Sequence, residues 1–327
     1  MPLYLLGLGA LVVAHCLAAN DRWAELVAQA KRLSREGRFQ EAERVLLTAQ
    51  REAEQHEERD ARIPATLDNL AGVVAAMGRY DEAERLYRRA ITFWEQRRAT
   101  EHLEFARTLN NLAVVCAKQQ RYSIAERLYR QSLDLRIKIF GPGSPEAAEV
   151  RTNLGNLYTA LEDYSKALVQ LEEALGVWKK APGHRYDEAA ALNNLGNARH
   201  RMGQHAEAER LLGAAIQIWR EMLHPDDPTL AEAMTNLAKV QVSLGRYADA
   251  EALFKESLAM ATARFGSGHP IEASIRRAYA DLLRRARRKN EAKRMLEEAV
   301  KIENASQQAS SFRHTVDVAD PTARQRK

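Results

Sequence analysis

One alanine returns through the chain at a nearly fixed interval. It stands at Ala42, Ala83, Ala125, Ala167, Ala208, Ala250 and Ala292, in steps of 41, 42, 42, 41, 42 and 42 residues. A period of this size is the mark of stacked supersecondary units. A single unit of about 40 residues cannot bury its own apolar face, so its neighbours must cover it and the core grows by addition. That overrides the estimate of about two globular domains that 327 residues would otherwise suggest.

The local pattern within each period is helical. A first segment carries an Asn-Leu pair followed by Ala or Gly: Asn69-Leu70, Asn111-Leu112, Asn153-Leu154, Asn194-Leu195 and Asn236-Leu237. A turn follows, with Gly78, Gly203 and Gly245 where a left-handed backbone is expected. An aromatic then opens the second segment at Tyr80, Tyr122, Tyr164 and Tyr247, with His205 as the exception. The recurring alanine comes three residues later, and a large residue four beyond it: Tyr87, Tyr129, Leu171, Leu212 or Phe254. Another small residue closes the pattern: Ala90, Ser132, Ala174, Ala215 or Ser257. Large and small residues alternating at i, i+3, i+4 and i+7 suit ridges packed into grooves between helices.

Proline and glycine collect between the units, in Gly141-Pro142-Gly143-Ser144-Pro145, Ala181-Pro182-Gly183-His184, Leu223-His224-Pro225-Asp226-Asp227-Pro228 and Gly266-Ser267-Gly268-His269-Pro270. Proline cannot continue a helix, so each stretch ends one unit and starts the next. The array is expected over residues 20–303, with a first pair from Asp21 to about Gln55 that lacks the Asn-Leu signature. Residues 304–327 are Ser/Gln/Ala-rich and read as a disordered tail. Residues 1–19 are apolar except at Tyr4 and His15, and end in Leu17-Ala18-Ala19 before Asn20-Asp21-Arg22. They read as a signal peptide that exports the chain, with a retained membrane anchor as the alternative.

The chemistry-bearing motifs of enzymes do not occur. There is no Gly-x-x-x-x-Gly-Lys-Ser/Thr, Gly-x-Ser-x-Gly or His-Glu-x-x-His, so a non-catalytic chain without a cofactor is expected. Two cysteines, Cys16 and Cys116, form no metal or disulfide framework, and Cys116 reads as a core residue. His184, His224 and His269 lie in successive connections and read as loop residues, with a surface metal site as the alternative. The basic run Arg284, Arg285, Arg287, Arg288, Lys289, Lys293 and Arg294 lacks interleaved aromatics, which favours a charged end cap over nucleic-acid binding. A net charge of +5 over the whole chain adds no argument for nucleic acid.

The Leu-Asn-Asn-Leu-Ala start, the Arg-Tyr-x-x-Ala-Glu-x-Leu-Tyr turn and the Phe-Gly-x-Gly-His-Pro connection together resemble the kinesin-light-chain type of tetratricopeptide repeat. The resemblance covers about residues 60–300. It implies an all-α, right-handed superhelical solenoid of about seven helix–turn–helix repeats. It also implies a scaffold that binds a partner protein or an extended peptide on the wall built by the first helices. The alternative is a membrane-tethered assembly factor. By that resemblance the peptide-binding residues are Asn69, Asn111, Asn153, Asn194 and Asn236. Asn156 and Asn197, three residues further on, share a face with Asn153 and Asn194, and Arg107 lies one turn before Asn111. An amide offers both donors and acceptors, which suits a peptide backbone of any sequence. Asparagine is a poor helix-interior residue, so its recurrence asks for a reason. A hydrogen bond to the adjacent first helix would be a structural one.

Overall fold

The computed structural model describes residues 22–55 and 61–316, with side chains through residue 305. The apolar stretch 1–19 and the last residues, 317–327, lie outside the described residues. Among the described residues there is no strand, and helices follow one another with short turns. Helix α1 occupies residues 22–35. After it come α2 (Phe39–Glu54), α3 (Arg62–Ala76), α4 (Tyr80–Gln96), α5 (Leu103–Lys118), α6 (Tyr122–Phe140) and α7 (Pro145–Ala160). Then come α8 (Tyr164–Trp178), α9 (Arg185–Arg201), α10 (His205–Met222), α11 (Pro228–Ser243), α12 (Tyr247–Phe265), α13 (Pro270–Arg285) and α14 (Lys289–Val316). The chain forms two compact units: the first ends at Glu162 and holds α1–α7, and the second begins at Asp163 and holds α8–α14. Odd-numbered helices are the A helices of the repeats and even-numbered ones the B helices.

The A-to-B turns share one geometry. Gly78, Gly203 and Gly245 have φ of 81°, 78° and 76°, and Gly37 has 75°. The same position is filled by Gln120, Glu162 and Arg287, with φ of 60°, 60° and 63°. Each of these three carries a Cβ into the left-handed region, at a cost of roughly 1–2 kcal/mol. At Gln120 and Arg287 the next N–H reaches back to close the turn, Arg121 N–H to Cys116 O and Arg288 N–H to Leu283 O, each at 2.8 Å, as Arg79 N–H does to Val74 O at 3.1 Å after Gly78. At the other end, Pro145, Pro228 and Pro270 are the first residues of α7, α11 and α13. Ser144, Asp227 and His269 cap those helices by accepting from backbone N–H groups.

The recurring alanine is fully buried in every repeat from Ala42 to Ala250. The large residue four positions on is buried with it: Tyr87, Leu212 and Phe254 pack against the paired A helix or the next one. In the second unit the Phe254 ring stacks on Tyr279 of α13 at 5.4 Å between centroids. At Gly196 of α9 the pair approaches closely. A Cβ there would lie 2.8 Å from Leu212 Cγ and 3.3 Å from the Ala208 carbonyl.

A second periodic interaction ties B helices together at their N-terminal ends. Before four of the B helices an arginine pairs with a glutamate on the previous B helix. These pairs are Arg79–Glu43 at 2.9 Å, Arg121–Glu84 at 2.6 Å, Arg246–Glu209 at 2.6 Å and Arg288–Glu251 at 2.5 Å. Within the second unit the rung is missing where Leu168 and Gln204 take the two positions. Arg288, with Lys255 and Tyr279, holds the Glu251 carboxyl down at about 2.

Helix α14 continues to Val316, past residue 303 and into the segment read as a disordered tail. No glycine or proline occurs between Asn304 and Val316, so the backbone meets no stop. Arg277 of α13 also donates to Glu303 at 2.6 Å and pins the helix where the tail was expected to begin.

Three substitutions test this packing by thermal or urea denaturation. Gly196→Ala should lower stability by about 1–2 kcal/mol, because overpacking against the buried Leu212 exceeds the gain in helix propensity. Ser257 is fully buried, and its hydroxyl has no hydrogen-bond partner among the described residues. Ser257→Ala should therefore raise stability by about 1 kcal/mol. Ser132→Ala should do the opposite, since that hydroxyl donates to Ala106 O at 2.6 Å.

Candidate functional site

In each unit the A helices of successive repeats lie against one another: α3 with α5 and α5 with α7 in the first, α9 with α11 and α11 with α13 in the second. The expected asparagines all sit on this A-helix layer. Their side chains form bonds that follow the repeat. Asn111 donates to Asp68 at 3.3 Å, Asn153 to Asn110 at 2.9 Å and Asn236 to Asn193 at 3.5 Å. Each pair is 43 residues apart, one more than the period. The residue just before the asparagine in one repeat thus accepts from the asparagine of the next. Asn110 and Asn193 also reach their own neighbours, Asn111 at 3.4 Å and Asn194 at 3.3 Å. The result in each unit is a chain of amides running across the A helices.

The remaining expected residues are placed differently. Asn69 is half-buried and donates to Ala65 O on its own helix at 2.7 Å. Asn156 is exposed and Asn197 half-buried. Arg107 Nε lies 3.4 Å from Asp68 Oδ2, so it faces an acidic group of the chain itself. Sequence reasoning singled out the second residue of the Leu-Asn-Asn-Leu doublet and passed over the first. The doublet was itself the signal, because both residues are polar where a helix-interior position facing a neighbour is usually apolar.

Asp68 is the point of highest electrostatic cost in the layer. It is 5% exposed, and its Oδ1 has no hydrogen-bond partner among the described residues. Desolvation raises its pKa, against the opposing pull of Arg107, Thr108 and Asn111. It borders a cavity of about 440 Å³ that Asn69, Asn111, Gly72, Tyr87, Lys31 and Arg35 also line. The cavity combines an apolar wall with a few convergent polar groups, as ligand sites on folded chains do.

The other candidates are spent locally. His184 bonds Asp187 at 2.9 Å, while His224 and His269 accept from the N–H groups of Asp226 and Ile271 at 3.3 Å. Each histidine serves its own connection. No group of three or more His, Cys, Asp or Glu is placed to hold a metal among the described residues. Within the basic run, Arg284 and Arg285 pair with Asp281, and Arg288 with Glu291 and Glu251. Cys116 is buried and unpaired. No helix among the described residues is long and apolar enough to cross a membrane.

These features define an all-α repeat array of the scaffold class, with a row of amide side chains on the A helices of each unit. The chain belongs to the tetratricopeptide-repeat family: the tetratricopeptide repeat model matches residues 23–96, 104–180, 187–263 and 243–304. The repeats are of the kinesin-light-chain-like kind. A kinesin light chain-related protein of Arabidopsis thaliana is 23% identical over 211 residues, 63% of this chain and 31% of its own length. A clustered mitochondria protein homolog of Aspergillus clavatus is 29% identical over 151 residues, 44% of this chain and 12% of its own length. The chain thus spans less than a third of either relative. Among solved structures, BtubC (BKLC) from P. vanneervenii is 25% identical with a TM-score of 0.58, over 66% of this chain and 87% of that one. The apo form of RapI gives a TM-score of 0.66 at 13% identity, over 88% of this chain and 99% of that one, a likeness of fold alone. Proteins of this family are generally non-catalytic scaffolds for other proteins.

The buried Asp68 gives a signed prediction. A carboxyl whose folded pKa is raised destabilises the fold once pH exceeds its unfolded value of about 3.9. Asp68→Asn keeps the shape and matches Asn110 and Asn193 in the same role. It should raise the melting temperature at pH 7, with the gain shrinking towards pH 4. A lower melting temperature at pH 7 would mean that the Arg107 pair outweighs the desolvation.

Proposed function

We propose that the chain is a non-catalytic scaffold whose A-helix face in each unit takes an extended segment of a partner protein. The observation that carries this reading is the row of half-exposed amides on the A helices of each unit, of which Asn69 and Asn111 also line the cavity at Asp68. An asparagine amide has two N–H donors and an oxygen with two lone pairs. The bonds between helices use one donor each at Asn111, Asn153 and Asn236, which leaves capacity for a peptide backbone. The same bonds hold the amides in fixed orientation, and a fixed polar group loses less entropy on binding. Each peptide bond made this way contributes about 0.5–1.5 kcal/mol net, so side-chain pockets such as the one at Asp68 must supply the rest. The membrane-tethered reading rests on the apolar run of residues 1–19, and N-terminal sequencing of the mature protein distinguishes it by an intact Met1 or Pro2.

The structural and ligand-facing amides are separable by mutation. Asn69 and Asn156 make no bond to a neighbouring A helix among the described residues. Asn69→Ala with Asn156→Ala should reduce capture of the native partner in a crosslinked pull-down at least about tenfold, a loss of about 1.4 kcal/mol, while the melting temperature stays nearly unchanged. Asn110→Ala breaks the chain of amides and should lower the melting temperature. Undiminished capture by the Asn69/Asn156 double variant would remove this face as the binding surface.

A further inference from the structure

Two departures from the repeat fall in the same unit and meet in space. Eight residues before the anchoring alanine the complete repeats carry Ala75, Ala117, Thr159 and Val242, but the fifth repeat carries His200. Five residues later, where the others open their B helix with Tyr80, Tyr122, Tyr164 and Tyr247, it carries His205. Histidine occurs at neither position in any other repeat and at both in this one.

The two imidazoles face each other across the α9–α10 turn. Their Nδ1 atoms are 3.1 Å apart, with ring centroids at 5.0 Å and planes inclined by 50°. The turn is stiff. Gly203 N–H bonds His200 O at 2.9 Å, Gln204 N–H bonds Arg199 O at 3.0 Å, and His205 N–H bonds Gly203 O at 3.0 Å. The Arg199 guanidinium also donates to Gln204 Oε1 at 2.7 Å. Two imidazole nitrogens on one ion, each about 2.0–2.1 Å from it, stand roughly 2.9 Å apart at a right angle and roughly 3.3 Å apart in a tetrahedron. The observed separation lies between these values.

His200 is half-buried, and its pKa is pushed down to about 4. Desolvation is the main cause, followed by His205, Lys239 and Arg201. Neutral imidazole is the form that ligates a metal. Lys239 and Arg201 also repel a divalent ion, so binding is weaker than at a closed four-ligand site.

We propose that His200 and His205 form a two-imidazole chelate for a divalent transition ion of the copper, nickel or zinc kind, with water completing its coordination. Such a site clips the end of α9 to the start of α10 and so stabilises this repeat when loaded.

The test uses the full chain without an affinity tag. Nickel(II) at about ten times its dissociation constant should raise the melting temperature by about 2–4 °C, and titration calorimetry should show one ion per chain, reversed by EDTA. His205→Tyr installs the residue of four other repeats, and His200→Ala that of two. Both should fold and lose the response, and His205→Gln provides a third check. Absence of a shift in the natural chain, or a shift that survives in all three variants, overturns the proposal. A pair joined only by a shared proton would show no such shift and no one-ion isotherm.

Discussion

Where helix A meets helix B within a unit, there is room for a methyl group and little more. Ala42, Ala83, Ala125, Ala208 and Ala250 are fully buried at this contact, and at Gly196 the space has shrunk until even a Cβ would collide with Leu212. Close approach brings the large residue four positions on into the facing groove, where burying a side chain of Leu or Phe size contributes about 1.5–3 kcal/mol. It also fixes the length of the turn. A turn that short needs one residue in the left-handed region, and the chain accepts the cost at Gln120, Glu162 and Arg287 where glycine is lacking.

Once the pairs are fixed, polar groups set the register between successive repeats. Apolar packing alone tolerates sliding, since one leucine-sized ridge resembles the next. The amide bonds between A helices and the arginine–glutamate rungs between B helices have narrow geometry and penalise slippage. Each is modest in energy, because partly exposed pairs contribute about 0.2–1 kcal/mol. Their regular spacing is what lets them act as a ruler along each unit.

The same amides are the candidate recognition surface. A side chain held by its neighbour is presented in one orientation, and a partner meets a prepared surface rather than a mobile one. Under the proposed function, Asn111 and Asn153 would carry two roles that cannot be separated by deleting them. Asn69 and Asn156 are the positions at which binding can be tested without disturbing the layer.

The period, the helix pairs, the turn glycines and the buried anchors were all legible in the sequence, because they depend on local backbone preferences and on a spacing repeated six times. The sequence also showed that its asparagines needed a reason. It did not show the reason, since whether an amide turns to the next helix or to solvent depends on how two helices 43 residues apart are set against each other. The pairing of Asp68 with Arg107 and Asn111, and the meeting of His200 with His205, were likewise decided by tertiary structure. In both cases the deciding quantity is a distance of a few ångströms across a contact, and no pattern along one helix encodes it. What the repeat does offer is an internal standard. His200 and His205 stand out once the repeats are aligned to one another, and the fold explains why their two departures coincide.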